Sequence, residues 1–135
     1  MARILIVEDD PLTRMTLADG LTAAGLDVAL AEDGVAGLTA ARRLRPDLIL
    51  LDLMIPKLDG LRVAHLLHFD RTYRHIPIVI LTARAGEDDR ALAEAHGAAA
   101  YLVKPVDLDR LVATIRDLLG PAVVGSGHAD DARPA

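Results

Sequence analysis

The stretch "PDLILLDLMIPKLDG", residues 46–60, decides the fold. Its run Leu48-Ile49-Leu50-Leu51 is apolar at successive positions, so neither face of that strand meets water. A half-wet antiparallel strand would alternate; this pattern belongs to a central parallel strand covered on both sides. The run stops at a carboxylate, Asp52, and a loop with Pro56 and Asp59-Gly60 follows. An ionised acid at the edge of a core is costly unless something pairs with it. Its partners must come from elsewhere in the chain.

Outward from this strand, "RILIV" (3–7), "LDVAL" (26–30), "IPIVIL" (76–81) and "AYLV" (100–103) are further short apolar runs between helix-length segments. Asp10 reads as an N-cap and Pro11 as the first residue of a helix whose Leu17, Leu21 and Ala24 share a face. Gly25 is its stop. Asp59-Gly60 reads as a cap and turn opening the third helix. Leu108, Leu111, Val112, Ile115, Leu118 and Leu119 form the stripe of a last helix, capped by Asp107 and ended by Gly120-Pro121. Gly34-Val35-Ala36-Gly37 lacks the Lys-Ser/Thr ending of a phosphate loop and reads as helix packing. Arg42, Arg43 and Arg45 read as a wet helix end, favourable to the dipole.

Five strands alternating with five helices, joined by right-handed crossovers, predict an α/β doubly wound five-stranded parallel sheet. The order 2-1-3-4-5 puts strands 1 and 3 side by side. Residues 1–120 form the expected domain. Residues 121–135, "PAVVGSGHADDARPA", lose all periodicity and are expected to be a flexible C-terminal tail.

The bulk composition removes several function classes. A net charge of −5 argues against a nucleic-acid surface, which needs clustered cations. The three aromatic residues, Phe69, Tyr73 and Tyr101, make no base-stacking platform. The chain has no cysteine, so thiol chemistry is out and a cytoplasmic setting is expected. The apolar run Ile4–Val7 is too short for a membrane span or signal core.

Ligands of such sheets bind beyond the carboxyl ends of the strands. Those ends carry Glu8-Asp9-Asp10, the acids of "AED" (31–33), Asp52, Thr82-Ala83 and Lys104-Pro105. With strands 1 and 3 adjacent, Glu8, Asp9 and Asp52 converge, and one lysine does not balance three acids. A hard divalent cation is the remainder, Mg2+ (or Mn2+), with Asp9, Asp52 and the Met54 carbonyl as ligands and Glu8 acting through water. Thr82 and Lys104 add a hydroxyl and an ammonium. Such a set clamps a phosphoryl group in flight, and Asp52 becomes its acceptor.

Taken together, "VEDD", "DLILLDLMIPKLDG", "ILTA" and "YLVKP" resemble the receiver domain of two-component response regulators over about residues 3–119. The resemblance implies a flavodoxin-like (βα)5 receiver fold, similar to a chemotaxis-regulator-like single-domain receiver. It makes Asp52 the phosphoacceptor, Glu8 and Asp9 the acidic pair, Thr82 the switch hydroxyl, Lys104 the phosphate-contacting lysine and Tyr101 the rotameric switch aromatic. It also implies a cis bond before Pro105. The implied donor is a phosphohistidine on a sensor histidine kinase or histidine phosphotransfer protein. The implied readout surface is helix 4, strand 5 and helix 5, where a downstream protein binds after Tyr101 turns inward.

The match departs from the family in one stretch. Winged-helix relatives carry paired aspartates before the switch aromatic, whereas here the stretch is Gly97-Ala98-Ala99-Ala100, which argues against their ionic dimer. The stand-alone receiver is the expected form, with a fragment of a larger regulator or hybrid kinase as the alternative. Met54, two after Asp52, and Ala85, counted as two after Thr82, are taken as flanking the path of an attacking water and carry no group to activate it, so slow self-dephosphorylation is expected. An aspartyl-phosphate phosphatase is a rival reading. Such enzymes place a second aspartate two after the nucleophile, where this chain has Met54, so the chain is read as a switch and not an enzyme. A module that is never phosphorylated is the other rival, and it would be expected to lose the acids or the lysine. His65 and His68, three apart, are read as a solvated or packed face.

Overall fold

Branched and aliphatic runs form the strands and small-residue amphipathic segments form the helices, in strict alternation. A computed structural model describes residues 1–120, so the expected tail and Pro121 lie outside the described residues. The order is β1 (Arg3–Val7), α1 (Pro11–Ala23), β2 (Asp27–Ala31), α2 (Gly34–Leu44), β3 (Leu48–Leu51), α3 (Gly60–His68), β4 (Ile78–Thr82), α4 (Glu87–Ala95), β5 (Ala100–Val103) and α5 (Leu108–Leu119). All strand pairs are parallel, in the order β2-β1-β3-β4-β5. This is the doubly wound sheet that the alternation predicts, with the flavodoxin-like strand order that the resemblance implies. Strand limits move by one or two residues: the fourth starts at Ile78, after Pro77, whose carbonyl still accepts from the Ile49 amide at 3.0 Å.

Pleat parity sorts the strand side chains into two cores. Ile4 and Ile6 of β1, Leu48 and Leu50 of β3, and Val79 and Leu81 of β4 pack with Leu17 and Leu21 of α1 and Leu111 and Ile115 of α5. Leu5, Val7, Ile49, Leu51, Ile78, Ile80 and Tyr101 face the other way, onto Ala40 and Ala41 of α2, Val63 and Leu67 of α3, and Ala93 of α4. Leu50 is 1% exposed, so truncating it to alanine would cost about 2–5 kcal/mol. Among the described residues no helix is long and apolar enough to cross a membrane.

The helix ends follow the sequence signals, with one exception. Asp10 and Asp59 accept from the amides of Thr13 and Arg62, at 2.9 and 3.0 Å. Gly25 has a φ of 91°, beyond the end of α1. Asp107 holds the N-cap position of α5, but its side chain accepts no capping bond. Arg42 and Arg43 lie in the last turn of α2, and Arg45 closes it in the left-handed region at φ 47°, 5.8 Å from the Tyr73 ring centre. Gly97, with φ 98°, meets the His68 ring so closely that a Cβ would lie 2.2 Å from its Cγ. That contact accounts for glycine at the head of the acid-free stretch.

Candidate functional site

Strand pairing builds the site. Val7 stands opposite Leu51 in the β1–β3 pair, so Glu8 and Asp52 emerge side by side just past the sheet. The Asp52 amide donates to the Val7 carbonyl at 3.1 Å and the Glu8 amide to Ala31 at 3.0 Å, extending the ladder one step. Thr82 stands opposite Val103, and the Lys104 amide donates to the Thr82 carbonyl at 2.8 Å. The Lys104–Pro105 bond is cis. Parity then assigns faces. Glu8, Asp52 and Lys104 continue the positions that face α1 and α5, whereas Thr82 and Tyr101 continue those that face α2, α3 and α4.

Glu8, Asp9 and Asp52 each offer an oxygen within 4.8 Å of the others, with Glu8 and Asp52 buried and Asp9 exposed. The Lys104 ammonium donates to Asp52 Oδ2 at 2.8 Å and to Glu8 Oε1. Burial pushes the Glu8 carboxyl up, against the bonds from Lys104 and the Asp10 amide that pull it down. Burial alone would pull Lys104 down, yet its bonds to Asp52 and Glu8 prevail and hold it above its ordinary value. We place the shared proton on Lys104, because two carboxylates accept from it.

The donor set suits a hard cation. Three carboxylates gather, two of them bonded to one ammonium, oxygen is the only donor type, and Asp9 faces solvent, where waters could complete a shell. Met54 donates its amide to Asp52 Oδ1 at 3.0 Å, and its side chain is 57% exposed. Thr82 is fully buried, its hydroxyl oxygen 3.5 Å from the Arg84 amide. Tyr101 is 5% exposed and donates its hydroxyl to the Arg84 carbonyl at 2.6 Å, so the ring stands in the inward position that the sequence reading expects it to reach only after Asp52 is phosphorylated. Burial, with Asp89 nearby, raises its phenol above the usual range.

Three site features differ from the sequence reading. Asp33, counted among the acids at the strand ends, instead caps α2 through the Ala36 amide at 2.7 Å and faces Lys57 at 3.6 Å. The residue two after Thr82 is Arg84, not Ala85, and its guanidinium pairs with Asp89 at 3.2 Å. The loop beside the site therefore carries charge, and only Met54 of the two flanking positions lacks a polar group. Arg14, which the sequence reading passed over, donates to the carbonyls of Glu8 at 2.9 Å and Asp9 at 3.3 Å. Its place one turn into a helix that starts just after the acids was the available signal. Away from the site, His65 of α3 meets the His96 ring, 5.3 Å between centres, a pairing no sequence spacing reveals.

Comparisons with known proteins identify the family. The response regulator receiver domain model matches residues 4–116. Over 119 residues the chain is 43% identical to the DNA-binding dual master transcriptional regulator RpaA of Synechocystis, covering 88% of this chain and 49% of RpaA. It is 37% identical over 119 residues to the polar-differentiation response regulator DivK of Brucella anthropi, covering 88% of this chain and 97% of DivK. It thus spans about half of RpaA and nearly all of DivK. Among solved structures, the receiver domain of the sensor histidine kinase PA1611 from Pseudomonas aeruginosa superposes with a TM-score of 0.82 at 33% identity. That match covers 88% of this chain and 98% of the other, which holds a magnesium ion coordinated in its active-site cleft. With the family model spanning nearly all the described residues, this chain belongs to the response regulator receiver domains of two-component signalling.

Proposed function

We propose that the chain is a phosphorylation-dependent switch in which Asp52 accepts a phosphoryl group from a phosphohistidine on a sensor histidine kinase or histidine phosphotransfer protein. The observation that carries this is the shared ammonium: Lys104 donates to Asp52 and Glu8, with Asp9 in the same cluster. In the step, an Asp52 carboxylate oxygen forms the P–O bond while the P–N bond breaks. The electron pair leaves with the imidazole. Lys104, already bonded to Asp52, then faces an oxygen of the new group and offsets its added charge. Asp9, Asp52 and the Met54 carbonyl would hold Mg2+, with Glu8 through water; when bound, the ion neutralises charge on the transferring oxygens.

Thr82 and Tyr101 carry the response. They share a sheet face, and Arg84 links them, since its amide approaches the Thr82 hydroxyl and its carbonyl accepts from Tyr101. A new acceptor at Asp52 draws Thr82 and shifts the loop on which Tyr101 rests. The surface of α4, β5 and α5 beside Tyr101 holds a groove of about 460 Å³ between Arg90, Val106 and Arg110, where a downstream protein reads the change.

Incubation with a small acyl-phosphate donor and Mg2+, followed by intact-mass measurement, tests the reading. One phosphoryl group should add to the chain and none to Asp52→Asn. An unmodified native chain, or equal labelling of the variant, defeats it.

A further inference from the structure

The loop that carries Met54 is pinned at two places by backbone contacts. At its base, the Gly60 amide donates to the Leu53 carbonyl at 3.1 Å, and a Cβ on Gly60 would lie 2.3 Å from the Asp52 carbonyl oxygen. At its tip, the first residue of α2 reaches across. The Gly34 amide donates to the Pro56 carbonyl at 3.1 Å, and a Cβ there would lie 1.7 Å from the Leu58 carbonyl oxygen. No L side chain fits that gap without moving the loop, because the obstructing atoms are main chain. Lys57, at the tip, adopts φ 72° and reaches back to Asp33, the cap of α2, at 3.6 Å. The Leu58 amide also donates to Pro56 at 2.8 Å, tightening the turn that Gly34 grips.

We propose that the N-terminus of α2, through Gly34, is a positioning device for the metal-binding loop, fixing where the Met54 carbonyl stands relative to Asp52. The proposal rests on the reading of Glu8, Asp9, Asp52 and Met54 as a magnesium site. Gly34 touches neither ion nor phosphate; it acts through Pro56 and Leu58. The segment between the two clamps is short. Displacing its tip therefore displaces Met54, since Gly60 holds the base still. Outer partners of this kind set ligand geometry and so govern affinity for the ion.

Magnesium titration of the full chain by calorimetry separates positioning from mere stability. Gly34→Ala should weaken magnesium binding about tenfold. Ala41→Gly, which removes a fully buried methyl from the far end of the same helix, should lower the melting temperature and leave the affinity unchanged. Equal affinities for Gly34→Ala and the native chain overturn the proposal alone. No binding by the native chain overturns both it and the reading of the site. Should Gly34→Ala not fold, amide spectra of the native chain decide. The Gly34 and Leu58 resonances should shift with magnesium along the same saturation curve as Met54, and a Gly34 resonance that stays put while Met54 moves overturns the proposal.

Discussion

Two loops border the acidic site, and they are held in opposite ways. The loop after β3, residues 52–60, is gripped by main-chain contacts at Gly60 and Gly34, with Ile55 sunk to 7% exposure. The loop after β4, residues 83–86, is exposed and is held by side chains: the Tyr101 hydroxyl on the Arg84 carbonyl, and the Arg84–Asp89 ion pair. Contacts between backbones have no second arrangement to exchange with. Side-chain bonds are individually worth only about 1 kcal/mol and swap readily. Under the proposed switch, the first loop would hold the reacting carboxylate still and the second would move, so the same rim would need both.

The largest effect should come from the residue that ties Asp52, at the head of the first loop, to Glu8. Lys104→Met removes the ammonium from Glu8 and Asp52, which are 3% and 7% exposed. Stranding buried acids this way should cost about 3–5 kcal/mol in urea unfolding at neutral pH, with part recovered on adding magnesium. A loss below about 1 kcal/mol would mean the tie is slack. Next, Gly60→Ala forces a methyl against the Asp52 carbonyl and should cost about 1–3 kcal/mol. A neutral result would show the fixed loop yielding at its base.

Tyr101→Phe removes the hydroxyl that holds Arg84 and should cost about 1 kcal/mol. Amide exchange should quicken across residues 83–86 and stay unchanged across 53–58; quickening in both would erase the contrast between the loops. The smallest effect is one of pH. The Ala36 amide and Lys57 hold the Asp33 carboxyl below its ordinary 3.8. A depressed carboxylate contributes stability that is full above the unfolded value and fades as pH falls through the folded one. Asp33→Asn keeps the cap without the titration, so below pH 3.8 its stability should fall less steeply than that of the native chain. Identical acid unfolding curves would show that the charge on Asp33 contributes nothing.

The fold was legible because it is written in local signals: the unbroken run at Leu48–Leu51, Pro11 after Asp10, the six-residue stripe of α5. The order 2-1-3-4-5 was taken from the known arrangements of doubly wound sheets. The convergence of Glu8, Asp9, Asp52 and Lys104 followed from that order alone. What stayed hidden depends on approach between distant segments. Asp33 stood among the acids at the strand ends, and only coordinates show it turned to the Ala36 amide. Gly34 looked like ordinary helix packing, and nothing in its neighbours in sequence announces Leu58 across the gap. Arg84 is a different case. It lay in view beside Thr82, but the reading set Ala85 in its place.

The alternation of β3 between two apolar layers sets a limit on how this protein can change over evolutionary time. Leu48 and Leu50 point one way and Ile49 and Leu51 the other, and Asp52 inherits its side from that count. Other aliphatic residues of similar bulk can replace any of the four at modest cost. Losing or gaining one residue is another matter, for it would swing the acid to the opposite side of the sheet, away from its lysine. Drift can rewrite the letters of this strand freely but not their number.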